Sequence, residues 1–395
     1  MTSKSTNLDP SRLVLAILML AAGFLSLSTA TWASIPGQNG PMLISASVSS
    51  GGIPFSGLFD IHLGGKSTRA SPIGETINSA AVSPNGALLA FSRSPGDQVW
   101  LGDRREIEKQ GSLAGAIQIS GIGASASDPE FSPDGRSIFY SSFLYSSGEG
   151  IEIWQVCRYW ISSGKTQKLV SQFPVLETSP VPAVSPNGRL LAYSYQSPAG
   201  ARIRLVRLGD RSSWTLPSNG EARLGNFSPD GSRLAYIRGP LGGSNLTVSR
   251  LDGMDSRTLG QADGIPSFSP DGTLVGVTRG YPEREEIVVF RLSDDHRKVL
   301  SAPGSAWQLW DWPRRRPFAL LGFARHRSEI SIRVFNSGRV RLSGFGIKSL
   351  STGILARGTH RLKVHWRERY RRTRVRIKFR PIGGLSSTRS ISIQR

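Results

Sequence analysis

Apolar and polar positions along this chain follow one recurring pattern. An apolar segment runs into Ser-Pro-Asp/Asn-Gly, and a second strand-like segment of small, aliphatic and aromatic residues comes out of it. The first two copies are Ala81-Val82-Ser83-Pro84-Asn85-Gly86 before Leu88-Leu89-Ala90-Phe91, and Phe131-Ser132-Pro133-Asp134-Gly135 before Ile138-Phe139-Tyr140. The third is Val184-Ser185-Pro186-Asn187-Gly188 before Leu190-Leu191-Ala192-Tyr193, and the fourth is Phe227-Ser228-Pro229-Asp230-Gly231 before Leu234-Ala235-Tyr236. The fifth is Phe268-Ser269-Pro270-Asp271-Gly272 before Leu274-Val275-Gly276-Val277. A degraded sixth copy reads Asp311-Trp312-Pro313-Arg314 and leads into Phe318 to Phe323. The prolines are spaced by 49, 53, 43, 41 and 43 residues, the length of one four-stranded propeller blade.

The turn chemistry accounts for each residue type. Proline presets φ, and Asp or Asn bonds nearby backbone. Glycine supplies the left-handed conformation of a bulged hairpin loop. Third-strand candidates follow at Gln98 to Leu101, Ile151 to Val156, Arg202 to Val206, Leu246 to Val248 and Glu286 to Phe290. The segment Met42 to Thr68 has the same pattern with no Ser-Pro turn ahead of it. Its first strand is therefore expected from Ala306 to Trp312, which closes the ring by joining the two ends of the repeat. The expected fold class is all-β: a six-bladed β-propeller over residues 40–324, with seven blades as the alternative, then a small β-sandwich-like domain over 325–395.

The Phe-Ser-Pro-Asp-Gly-x-x-Leu-Ala-Tyr repeat, with Asp60-Ile61-His62-Leu63 ahead of its first copy, resembles the TolB-type (WD repeat-like) propeller repeat. The resemblance covers roughly Gly40 to Phe323. It implies a propeller fold, in a family that includes periplasmic scaffolds, sugar or peptide binders and propellers fused to peptidases. The α/β domain that precedes the propeller in TolB is not expected here, so TolB's own partners are not carried over.

Composition and charge separate the two regions. Net charge is +21, yet Arg325 to Arg395 hold 19 Lys and Arg against two acids, Glu329 and Glu368, leaving about +4 for the remainder. In the tail, Arg361-Leu362-Lys363-Val364 and Arg374-Val375-Arg376-Ile377-Lys378 alternate basic and apolar residues with the period of a half-buried strand. Arg361, Lys363, Arg374, Arg376 and Lys378 are the candidate polyanion face, its partner an anionic wall polymer or surface. Nucleic acid is disfavoured, since few aromatic residues interleave with the cations. The tail also resembles small β-rich domains that end many secreted actinobacterial proteins.

Lys4 and Arg12 precede an apolar run from Leu13 to about Leu27, and small residues follow up to Ala33. This reads as an export signal over residues 1–33, with an uncleaved anchor as the alternative. It implies a secreted or cell-envelope bacterial protein with no transmembrane span in the mature chain. Cys157 is the one cysteine, so no internal disulfide forms; its apolar strand suits an inert thiol.

Candidate chemistry is sparse. No Gly-x-Ser-x-Gly elbow occurs, and the tail is too short for a peptidase domain. The five histidines lack metal-ligand spacing, and Asp294-Asp295-His296 reads as a solvated loop. Asp134, Asp230 and Asp271 look like repeated acids, but Asn85 and Asn187 take the same place, which marks the carboxylates as structural. Trp307, Trp310 and Trp312, followed by Arg314 and Arg315, form the most unusual local cluster; it suits inter-blade packing or a ligand surface at the channel mouth. No catalytic residue, metal or cofactor is expected. The expectation is a non-enzymatic binding protein or scaffold whose propeller engages an envelope protein or glycan. The alternative is a hydrolase or lyase acting on glycan or peptide at the propeller centre.

Overall fold

The computed structural model describes residues 39–395, apart from 51–52, 65, 70–76, 94–96, 111–112, 122–124, 147–150, 173–179, 241–242, 281–285, 301–304, 314–317, 335–337, 357, 368–369, 382–386 and 395. The proposed export signal over 1–33 lies outside the described residues.

Six four-stranded antiparallel sheets form the first body. Their innermost strands are Ser305–Asp311 in blade 1, Ile77–Val82 in blade 2, Ser125–Phe131 in blade 3, Pro182–Val184 in blade 4, Ala222–Phe227 in blade 5 and Ser267–Phe268 in blade 6. Each of these strands packs against the next, and the last returns to the first, so the ring has six members and not seven. Closure is as the pattern required. The late strand Ser305–Asp311 pairs antiparallel with Met42–Ser50, which pairs on its other side with Ile53–Ile61, and that strand in turn with Ser67–Arg69. Across this join, Trp312 is buried and its Nε1 donates to the Gly40 carbonyl at 3.1 Å.

All five intact turns are built alike. The serine Oγ donates to the Oδ1 of Asn85, Asp134, Asn187, Asp230 or Asp271 at 2.6–2.9 Å. That same Oδ1 accepts the backbone N–H two residues on, at 2.9–3.1 Å. The serine Oγ in turn accepts the N–H five residues on, at 2.8–2.9 Å. Both bonds to the Asx side chain use the one oxygen that Asp and Asn share, which is why the two alternate. The glycines sit at φ between +67° and +73°, where a Cβ is strained. In three neighbouring pairs the proline of one turn lies against the glycine of the next: Pro84 on Gly135, Pro186 on Gly231 and Pro229 on Gly272.

The chain after the ring forms a second body. A three-stranded sheet, Phe318–Ala324, Glu329–Val334 and Gly358–Lys363, lies against a four-stranded one ordered Leu350–Leu355, Gly338–Ser343, Arg372–Pro381 and Ser387–Gln394. They share one apolar core, including Ile330 and Ile332 from the first sheet and Leu342, Ile377 and Phe379 from the second. This is the expected small sandwich, but it begins earlier than Arg325. Phe318–Ala324 pairs with Glu329–Val334 and so belongs to the sandwich and not to the propeller. The physical reason is ring closure: once Ser305–Asp311 has paired with Met42–Ser50, blade 1 is complete and holds no seat for a further strand. Among the described residues no helix is long and apolar enough to cross a membrane.

Candidate functional site

Two places gather groups that can recognise a ligand: the propeller's central channel and the sandwich's cationic surfaces.

Innermost strands from all six blades line the channel, which encloses a cavity of about 80 Å³. Ser79, Asp128, Glu130, Asn226, Trp310 and Asp311 contribute to its wall. Two carboxylates face each other's field there: protein encloses each on most sides while the channel leaves it partly open. Burial pushes Glu130 well above the ordinary carboxylate range, and the charge of Asp311 adds to the effect. Burial also pushes Asp311 up to about 6, against the pull of the N–H groups of Val82 and Trp312 and the charge of Arg104. The Val82 N–H donates to Asp311 Oδ2 at 2.9 Å.

Behind this pair, Arg104 is buried and binds the Asp60 carboxylate of blade 1, while its Nε donates to Glu108 Oε1 at 2.6 Å. Arg104 opens the short helix Arg104–Gln110, which follows the third strand of blade 2, so this ion cluster ties blades 1 and 2 together. Sequence reasoning missed Glu130, Asp311 and Arg104 as one group. The available signal was position: Glu130 and Asp311 each sit just ahead of a repeat proline, where an innermost strand ends.

The tryptophan cluster divides. Trp310 packs against the core between blades 1 and 2, and Trp312 is buried in the core that joins blades 1 and 6. The packing reading therefore accounts for both, although Trp310 also reaches the channel wall. Trp307 lies on the closing strand Ser305–Asp311. Arg314 and Arg315 lie outside the described residues. The twenty turn residues act as structural elements, with Ser83, Ser132, Ser185, Ser228 and Ser269 all buried. Cys157 is buried, and burial pushes its thiol up, away from the reactive thiolate. The Asp294-Asp295-His296 loop is exposed, with Asp295 paired to Arg257 and Asp294 to Arg291. Among the described residues no group of three acids, histidines or cysteines could hold a metal.

The proposed polyanion face does not form one surface. Arg374, Arg376 and Lys378 stand exposed on the outer face of the four-stranded sheet. Arg361 and Lys363 stand on the outer face of the opposite sheet, where Lys363 pairs with Glu329 across the ladder. The sheets of a sandwich turn their outer faces in opposite directions, which separates the two groups. The fold adds four cations beside the first group: Arg372 and Arg380 on the same strand, and Arg339 and Arg341 on the neighbouring one, opposite Arg380 and Lys378. Their signal was the alternation Arg339-Val340-Arg341-Leu342, which marks a strand but not its neighbour.

No family model matches the chain. Among solved structures, TolB from Acinetobacter baumannii aligns with a TM-score of 0.57 at 18% identity, covering 78% of this chain and 74% of that one. A putative TolB from Agrobacterium tumefaciens aligns with a TM-score of 0.51 at 13% identity, covering 68% and 91%. The first body has the TolB-type β-propeller fold. At such low identity the likeness extends to the architecture of the TolB-type propeller and not to its partners.

Proposed function

We propose that this is an extracytoplasmic, non-catalytic binding protein of a bacterial cell envelope. The propeller offers a rigid surface to a protein or glycan partner, and the sandwich holds the molecule on an anionic surface. The observation that carries this reading is the segregation of charge: among the described residues seven exposed cations share one outer sheet face of the sandwich, while the propeller is close to neutral. Such a one-signed field draws and retains anionic partners. Its attraction is screened within roughly 8–10 Å at physiological salt. Export through the N-terminal segment and a location outside the cytoplasm are part of the proposal. The full chain should sediment with cell-wall preparations at low salt and be released as salt rises. Association that persists unchanged at 1 M salt would remove the electrostatic anchor.

A second reading rests on Glu130 and Asp311. Two carboxyls with raised pKa values in a central channel are the groups a hydrolase or lyase would use as acid and base. Against it, about 80 Å³ is far below the roughly 300–1,000 Å³ of small-molecule sites. Turnover of envelope glycan or peptide fragments by the wild type, lost in Glu130→Gln, would establish this reading in place of the first.

A further inference from the structure

We infer that the outer face of the four-stranded sheet, and not the basic tail as a whole, is a docking strip for an extended polyol-phosphate chain. The inference rests on the anchoring role proposed above and narrows it to one face and one polymer chemistry.

Arg374, Arg376, Lys378 and Arg380 stand exposed at every second position of Arg372–Pro381, with Val375, Ile377 and Phe379 between them in the core. Arg339 and Arg341 form a second, parallel column on Gly338–Ser343, where Arg339 lies opposite Arg380 and Arg341 opposite Lys378. Like charges directly opposite each other across a ladder are unfavourable for the fold. The sandwich nevertheless repeats the arrangement twice, and among the described residues no acid stands on this face to offset it. Of the region's two acids, Glu329 belongs to the other sheet, and Glu368 lies outside the described residues. An anionic ligand laid along the columns removes the repulsion.

The spacing selects an extended phosphodiester. Successive cations on one strand are two residues apart, about 6.6–6.8 Å, and span six backbone bonds. A three-carbon polyol phosphate also repeats every six backbone bonds and, by the same reckoning, about every 7 Å when extended. Its phosphates can meet successive side chains over the whole strand.

The flanks select the polyol. Ser390 and Ser392 stand opposite Arg376 and Arg374 on Ser387–Gln394, and Ser351 stands opposite Arg341 on the other side. All three are exposed. They place hydroxyls along both margins, where a polyol can exchange hydrogen bonds. A single-stranded nucleic acid has a six-bond repeat too, but it draws affinity from aromatic platforms. Here Phe379 is in the core and Trp366 packs on it, while Tyr370 meets Phe345 edge-on in the loops beyond the strand ends, which leaves Phe345 as a single exposed ring off the strip and no row of rings along it. A bilayer surface calls for apolar side chains to insert. Ile354 is the one large apolar side chain exposed on this face among the described residues.

The test uses the full chain and two triple variants with equal charge loss: Arg374→Ser/Arg376→Ser/Lys378→Ser on the strip, and Arg333→Ser/Arg361→Ser/Lys363→Ser on the opposite sheet. Thermal melts verify folding, and Arg374→Lys/Arg376→Lys provides a conservative rescue. Probes are poly(glycerol phosphate), vesicles containing phosphatidylglycerol, and single-stranded DNA of matched charge. The wild type and the Lys variant should bind the polyol phosphate best. The strip triple should lose about tenfold or more in affinity, and its log–log salt slope should flatten by about 2. The opposite-sheet triple should lose less than about threefold. Equal losses in the two triples would overturn the strip while leaving a general basic anchor. Tighter binding to vesicles or DNA, lost in the strip triple, would overturn the choice of polymer. Wall association without any polyol-phosphate binding would sink this inference alone; loss of wall association as well would take the anchoring role with it.

Discussion

The propeller and the sandwich use the same β alphabet in opposite ways. Middle strands of the propeller, such as Leu88–Arg93, Arg233–Arg238 and Leu274–Arg279, are buried at four consecutive positions, because a blade is covered on both faces by its neighbours. In the sandwich, Gly338–Ser343 alternates buried and exposed, because each sheet has one face on the core and one in water. A blade therefore has no open face on which charge can collect, and its charged groups go to turns, rims and the channel. A sandwich sheet offers a whole face, and this one fills it with cations.

The largest expected effect concerns the buried ion cluster that ties blades 1 and 2. Arg104→Ala leaves Asp60 and Glu108 without their cation beside Asp311 and should cost about 3–5 kcal/mol, read as a large drop in the denaturant midpoint. A loss below about 1 kcal/mol would mean that water, and not Arg104, satisfies those acids. Next is close packing around the ring. A Cβ at Gly225 would stand 2.4 Å from the Pro266 carbonyl oxygen, so Gly225→Ala must push apart the inner edges of blades 5 and 6. We expect about 3 kcal/mol of destabilisation, against under 1 kcal/mol for Gly353→Ala in the sandwich, where nothing lies within 4 Å.

The channel carboxyls set a pH dependence. A carboxyl whose pKa is raised on folding stabilises the fold when protonated. The contribution of Asp311 is complete below the unfolded value of roughly 4 and is lost as pH rises through about 6. Going from pH 7.5 to 5 should raise stability by about 1.4 kcal/mol through Asp311, and Asp311→Asn should flatten that rise in a series of thermal melts. Glu130, also raised, acts in the same direction. Asp230 is depressed by the Ser228 and Ser232 bonds despite its partial burial, so its contribution is lost only as pH falls below the usual carboxylate range.

Smaller effects separate scaffold from surface. Ser228→Ala strips the bonds of its Oγ to Asp230 and Arg233 and should cost about 1–2 kcal/mol, whereas Asp230→Asn keeps Oδ1, loses the charge and the Oδ2 acceptor of Ser232 Oγ, and should cost less than about 1 kcal/mol. A large loss for the second variant would show that the turn needs a charge. Smallest, and opposite in sign, Arg341→Glu replaces a like-charge pair with an ion pair to Lys378 and should stabilise the sandwich by about 0.2–1 kcal/mol at low salt. The gain should fade as salt is added.

Legibility along the chain followed locality. The turns were readable in full, since serine, proline, Asx and glycine act on one another within six residues. The five third strands stood where the repeat placed them, and the closing strand could be named because one repeat lacked its beginning and another its end. Leu350–Leu355 is not legible as a strand in the sequence, since its Ser, Thr and Gly carry little periodicity. Phe318–Ala324 was assigned to the wrong body because its apolar run suits either one.

Taken alone, the sequence determined the propeller, its repeat, the order of its strands and the concentration of charge in the tail, all of which depend on neighbours in the chain. Six blades as a closed number, the meeting of Glu130 with Asp311, and the division of the tail cations between two faces were decided only by the tertiary structure. Those contacts join residues far apart in sequence, and a strand's pattern records which of its residues face water without recording which strand lies beside it.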